Sequence, residues 1–305
     1  MPEPEAYLNG RFVPQSAAVL PVYDAGFVLG TTVAEQLRTF GGKLFGLEAH
    51  LKRLANSLAI VGVNPGIELD TLGQLADELA GRNHRLLDAA DDLGLCMFVT
   101  PGVYPTMVSP GDYAPTICMH TFPIPFRLWA DKYEQGESLV TTDVVQVPGN
   151  CWPVELKCRS RMHYYLADQA ARRIDPQSRA VMLDEAGYVT ESTTANIVVY
   201  RSGEGLLTPP RTKILSGISL AVLIDLAAGL GVSCQERDLR PDDLAAADEV
   251  FLCSTSPCML PVVRFNQRPI GRGVVGDLYR RMIDRWSQSV GLDIRAQANL
   301  FRVRA

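Results

Sequence analysis

The chain has 305 residues, a formal net charge of −5, 47% hydrophobic residues and 21% charged ones. This composition can fill packed cores and excludes a largely disordered chain. The negative balance excludes a nucleic-acid binder, which needs a basic face to release phosphate counterions. The length predicts two domains, because domains usually run to about 100 to 200 residues.

Taken in chain order, Tyr7 to Pro14 carries the Asn9-Gly10 hairpin signal, and Val33 to Phe45 reads as a strand pair turning at Gly41-Gly42. Leu51, Leu54, Leu58 and Val61 recur at helical spacing, which predicts an amphipathic helix from Leu47 to near Gly62. A second, polar-faced helix is expected from about Leu69 to Leu93. Met97 to Thr100 and Thr116 to His120 are apolar runs bounded by Gly and Pro, the pattern of buried strands. The two prolines of Thr121 to Phe126 predict a stiff connection. The expected division is a small N-terminal α/β domain over 1–122, a linker over 123–135 and a larger domain over 136–305.

In the second half, strands at Ser138 to Val147, Arg179 to Asp184, Asn196 to Arg201 and Glu249 to Cys253 alternate with helices near Arg161 to Ile174, Ser219 to Leu230 and Val274 to Val290. A mixed α/β, or α+β, fold class follows. The longest apolar stretch, Ile218 to Val232, is broken by Asp225 and falls short of the roughly 20 residues that span a bilayer, so it reads as a buried helix and no membrane partner is expected. The seven cysteines form no C-x-x-C pair, and His84, His120 and His163 lack metal-like spacing. With no secretory pattern at Met1 to Gly10, the expectation is a reduced, cytoplasmic protein without a metal.

Four segments can carry chemistry. In Val154-Glu-Leu-Lys157-Cys-Arg-Ser-Arg161 a lysine follows a strand-like segment and precedes a helix. Such a lysine is expected at a strand end, where burial or the neighbouring Arg159 and Arg161 would activate its amine. A lone lysine is ordinarily a solvated surface group. In Asp184 to Tyr200 a turn, the carboxylate Glu191, a hydroxyl cluster and a buried strand follow one another. A carboxylate there can keep a pyridine nitrogen protonated. Leu207-Thr-Pro-Pro210 and Ile214-Leu-Ser-Gly217-Ile218-Ser219 lead into the apolar helix, where backbone N–H groups bind phosphate or a serine simply caps. Phe251 to Ser256 sets hydroxyls at the end of a strand.

The order of Glu35, His50-Leu-Lys-Arg53, Lys157, Glu191 to Asn196, Thr208-Pro209, Gly217-Ile218 and Ser254-Thr255 resembles the class IV, or fold-type IV, pyridoxal-phosphate aminotransferases. That family includes branched-chain and D-amino-acid aminotransferases and aminodeoxychorismate lyase, and the resemblance runs from Asn9 to about Val262. It implies a two-domain D-amino-acid aminotransferase-like fold and pyridoxal 5'-phosphate as cofactor. By the same resemblance Lys157 matches the Schiff-base lysine, Glu191 the partner of the pyridine nitrogen and Arg53 the phosphate-binding arginine. Ile218 and Ser219 match helix-start amides on the phosphate, with Gly217 allowing the backbone to approach, and Ser254, Thr255 and Asn196 complete the cofactor set. A homodimer is implied in the same way.

The substrate half departs from the pattern. Thr100-Pro101-Gly102 lacks the arginine that traps a carboxylate in D-amino-acid enzymes, Leu29 replaces an aromatic of the branched-chain enzymes, and Ala34 stands where Phe or Tyr is usual. Arg38, Arg159 or Arg161 is expected to supply the missing contact, since a guanidinium fork suits a carboxylate. The implied activity is ping-pong transamination between an amino acid or amine and a 2-oxo acid. The alternatives are a lyase of the aminodeoxychorismate type and a non-catalytic cofactor-binding protein.

Overall fold

A computed structural model describes residues 3–109, 111 and 113–303. Its contacts divide the chain into two units: unit 1 runs up to Ile124 and takes back Leu156–Ser160, and unit 2 comprises Pro125–Glu155 and the chain from Arg161 onward. The lysine segment therefore belongs with the N-terminal unit although it lies far along the sequence.

Unit 1 is built on β1 (Glu5–Leu8), β2 (Arg11–Pro14), a short α1 (Ala25–Val28), β3 (Val33–Phe40), β4 (Lys43–Leu44), α2 (Leu47–Val61), α3 (Leu69–His84), β5 (Leu93–Thr100) and β6 (Thr116–Pro123). Its six strands form a sheet in the order β2-β1-β6-β5-β3-β4, antiparallel throughout. One face, through Val33, Leu37, Leu95, Met97, Val99 and Met119, packs against Leu54 and Leu58 of α2 and Leu72, Ala76 and Leu79 of α3. The period of two on the strands and of 3.6 on the helices meets in one apolar layer. α2 ends on Gly62 in the left-handed region (φ 67°), whose N–H and that of Val63 bond back to Ala59 and Leu58.

The second helix is shorter than its composition predicts: α3 stops at His84, and Leu93 opens β5. Turn chemistry in the acidic stretch between them decides this. Asp88 Oδ1 accepts the N–H of Ala90, and Asp92 is drawn to the β3–β4 turn, where it accepts from Gly42 N (3.1 Å) and the Thr39 hydroxyl (2.5 Å).

Unit 2 holds α4 (Lys132–Gln135), β7 (Glu137–Val145), α5 (Met162–Ile174), β8 (Ser178–Leu183), β9 (Val189–Ser192), β10 (Ala195–Arg201), β11 (Gly205–Thr208), α6 (Ile218–Ala228), β12 (Cys234–Glu236), α7 (Pro241–Ala245), β13 (Glu249–Ser254), β14 (Cys258–Phe265), β15 (Arg268–Pro269), α8 (Asp277–Val290) and α9 (Ile294–Leu300). Its strand order is β12-β11-β10-β13-β14-β7-β8-β9, and β9 pairs again with β10. Six strands thus close on themselves, and closure leaves them no free edge. α5 lies on β7 and β8 through Ala167 and Ala171, whose small side chains allow close approach. Within the stretch expected as linker, Phe126, Trp129 and Tyr133 are buried.

Candidate active site

Lys157 sits where the returning segment pairs with β3 as an isolated bridge, Val33 with Cys158. Its carbonyl accepts the Ala34 N–H (3.0 Å), its own N–H donates to Ser57 Oγ on α2 (3.1 Å), and Arg159 N–H donates to Thr32 O (2.8 Å). The expected strand leading into the lysine is replaced by turns; the extended backbone at Lys157 comes from pairing with β3.

Glu35, also on β3, is buried and receives Arg53 Nε (2.8 Å), Arg53 Nη2 (2.7 Å) and His50 Nδ1 (2.7 Å) from α2. Burial works to raise the Glu35 carboxyl, but the Arg53 and His50 hydrogen bonds and the charges of Arg53 and Lys157 outweigh it and hold it at about 2. His50 is lowered, chiefly by burial, so it donates to Glu35 as a neutral imidazole. Arg53 is 10% exposed and clamped in this pair.

The opposite face of the unit 1 sheet carries Arg38, whose guanidinium lies 4.0 Å over the Phe40 ring and whose Nε donates to Thr39 O. Arg38 is 1% exposed. Arg159 is exposed and donates Nη2 to Cys96 Sγ on β5 at 2.7 Å. Leu29 is exposed at the end of α1, and Gly30 O accepts from Ser160 Oγ (2.7 Å). Arg161 belongs to unit 2, where it occupies the N-cap position of α5.

In unit 2, Glu191 on β9 and Asn196 on β10 are register partners across a hairpin. Asn196 Nδ2 donates to Glu191 Oε1 (2.9 Å) and to Leu215 O (3.0 Å), Leu215 N–H donates to Glu191 Oε1 (3.1 Å), and Tyr164 OH donates to Glu191 Oε2 (3.1 Å). The carboxylate is buried, so both oxygens are fixed in direction. Burial, then the Glu191 charge, pushes the Tyr164 phenol well up, which keeps it a donor. The sequence pattern does not single out Tyr164; its place in the first turn of α5, against β7 and β8, is what aims it.

Gly217, the N-cap of α6, has an ordinary φ of −71°. A Cβ there would lie 1.9 Å from Asn196 Oδ1, so close packing and not a left-handed backbone demands the glycine. Beyond it, the N–H groups of Ile218 and Ser219 lie in a first turn that gives them no acceptor inside the helix. Ser254 ends β13, and Thr255 follows in the turn. Among the described residues no group of His, Cys, Asp and Glu could hold a metal ion, and no helix is long and apolar enough to cross a membrane.

The groups within each unit are of the kinds that pyridoxal phosphate takes: in unit 1 a primary amine on a pinned backbone, in unit 2 an oriented buried carboxylate and a helix start packed too closely for a side chain at Gly217. Residues 32–265 match the family described as amino-transferase class IV. The chain belongs to the class IV aminotransferases. This class IV aminotransferase is 29% identical to the D-alanine aminotransferase of Bacillus licheniformis over 276 residues, covering 90% of this chain and 93% of that one. It is 30% identical to a putative branched-chain-amino-acid aminotransferase of Methanocaldococcus jannaschii over 283 residues, covering 92% and 94%. The solved branched-chain amino acid aminotransferase of Escherichia coli has the same fold, with a TM-score of 0.86, 25% identity and 95% of each chain covered. These matches make the aminotransferase an enzyme of the transferase class with the fold expected from the sequence, and they favour transamination over the lyase alternative.

Proposed function

We propose that this enzyme uses pyridoxal 5'-phosphate, held through Lys157, to move an amino group from an amino acid to a 2-oxo acid in two half-reactions. The observation that carries the reading is the Glu191 carboxylate, buried and aimed by Asn196, Leu215 and Tyr164. When bound, the cofactor supplies an electron-withdrawing ring and a carbonyl carbon that the amino group can join. Glu191 holds a proton on the pyridine nitrogen. Arg53, the Ile218 and Ser219 N–H groups and the Ser254 and Thr255 hydroxyls bind the phosphate, with Gly217 and Asn196 shaping the helix start. Once the substrate amine has taken its place and freed it, Lys157 Nζ would take the proton from the substrate α-carbon and deliver it to the carbon on the far side of the transferred nitrogen, as base and then acid.

For the substrate carboxylate the reading favours Arg159, whose guanidinium is exposed with one arm on Cys96. Arg38 and Arg161 are the alternatives, with Leu29 bordering the substrate. A homodimer in the cytoplasm completes the reading, supported by seven free cysteines and by the exposed apolar Val19, Val22 and Phe27 of unit 1.

The test is borohydride reduction of the cofactor-loaded protein followed by peptide mass mapping. The label is expected on Lys157, with amine transfer from an amino-acid panel to a 2-oxo acid lost in Lys157→Ala. Label on another lysine, or full turnover by the variant, would refute the assignment.

A further inference from the structure

The face of the unit 1 sheet away from α2 and α3 carries a group of titratable side chains that the reaction outlined above does not use. Cys96 on β5 is the direct register partner of His120 on β6 and of Gln36 on β3. The thiol is 1% exposed. The His120 imidazole is its direct cross-strand neighbour on the same face, and Arg159 Nη2 donates to the sulfur at 2.7 Å from the lysine segment. Three separate stretches of sequence thus converge on one sulfur, two of them bringing a basic nitrogen. A neutral thiol is a weak acceptor, whereas a thiolate beside two such donors makes charge-assisted bonds.

We propose that Cys96 and His120 form a charged cross-strand pair whose thiolate holds the Arg159 guanidinium, which makes Cys96 a positioning residue for the substrate carboxylate. The proposal rests on the reading of Arg159 as the carboxylate contact. One arm of the guanidinium is fixed on sulfur and the remaining N–H groups stay available to an acid, so orientation is settled before substrate arrives. Preorganising a long, rotamer-rich side chain removes part of the ordering cost of binding.

The charge balance is local. Burial works to raise the Cys96 thiol, but the His120 hydrogen bond and the Arg159 charge outweigh it and lower it from the ordinary thiol range. His120 is raised, first by its hydrogen bond to Cys96. The other groups on this face are Arg38 on β3 and Cys118 on β6, the latter pushed up to about 12 by burial and then by Cys96, so it stays neutral. Lowering the thiol and raising the imidazole both favour the charged pair, so affinity for the acid falls where pH protonates Cys96 and where it deprotonates His120.

Two readouts test this on the cofactor-loaded enzyme. The first is thiolate ultraviolet absorbance against pH, as the difference between the wild type and Cys96→Ala. It is expected to titrate below the ordinary thiol value of about 8.5 and to move upward in His120→Asn. The second is steady-state kinetics with an amino acid and a 2-oxo acid. Cys96→Ala and Cys96→Ser are expected to raise both KM values about ten-fold with kcat held within about two-fold, and Cys96→Asp to recover most of the loss. Recovery by an anion and not by the near-isosteric hydroxyl separates charge from packing. An ordinary thiol titration, an unchanged KM in Cys96→Ala, or serine performing as well as cysteine would each overturn the proposal. If wild type and every variant failed to turn over any acid, the functional reading would fall and the positioning role with it, while the absorbance difference would still decide whether the pair is charged.

Discussion

Glu35 shows how a single residue sets the behaviour of unit 1 with pH. Its folded pKa of about 2 lies below the ordinary 4.5, so the stabilisation is complete above that ordinary value and drains away as pH falls toward 2. The size is roughly 3 kcal/mol for a shift of this extent. Wild type should therefore lose stability steeply over that acid range in denaturant titrations, and Glu35→Gln should flatten the profile while costing about 3 to 5 kcal/mol at neutral pH by stranding Arg53. A profile unchanged by the substitution would mean that the carboxylate is not the titrating group.

Gly217→Ala addresses the other half of the site at the same scale. The added methyl would overlap Asn196 Oδ1, so the variant should lose about 1 to 3 kcal/mol in melting experiments and bind the cofactor less tightly. Combining it with Asn196→Ala should give less than the sum of the two losses, because the clash disappears with the side chain. Strict additivity would argue against the packing account.

At the scale of elements, the β9–β10 hairpin holds Thr194 at φ 65°, a conformation that a β-branched residue adopts only under constraint. Its neighbours Glu191 and Asn196 are the residues whose register the turn sets. Thr194→Gly should relax the strain and raise stability by about 1 kcal/mol, with cofactor affinity unchanged if Arg179 keeps its bond to Thr193 O. A fall in melting temperature would place the stabilisation in the Thr194 hydroxyl instead.

The same scale shows what could be read from sequence. α2 is visible because Leu51, Leu54 and Leu58 repeat on one stripe and Gly62 ends it. β14 is not visible: Pro261 stands inside it, opposite Phe251, and a proline ordinarily argues against an internal strand. In the candidate site, Lys157, Glu191 and Gly217 stand out through their local surroundings. Tyr164 and the Cys96–His120–Arg159 group do not, because what joins them is the cross-strand register of β5 with β6 and the return of residues 156–160 to β3. No local window contains both partners.

For the molecule as a whole, the division into units cuts across the order of the chain. Unit 1 lacks Leu156, which packs against its core, and the Val33–Cys158 bridge until the chain comes back from a long excursion through Pro125–Glu155. Loop closure over some thirty residues costs about 3 kcal/mol, a slowly growing logarithm of length. During synthesis β3 and α2 emerge well before Leu156–Ser160, so the lysine segment is the last part of the first unit to be made. A chain stopped before residue 156 lacks both the Leu156 contact and the pairing of the lysine segment with β3.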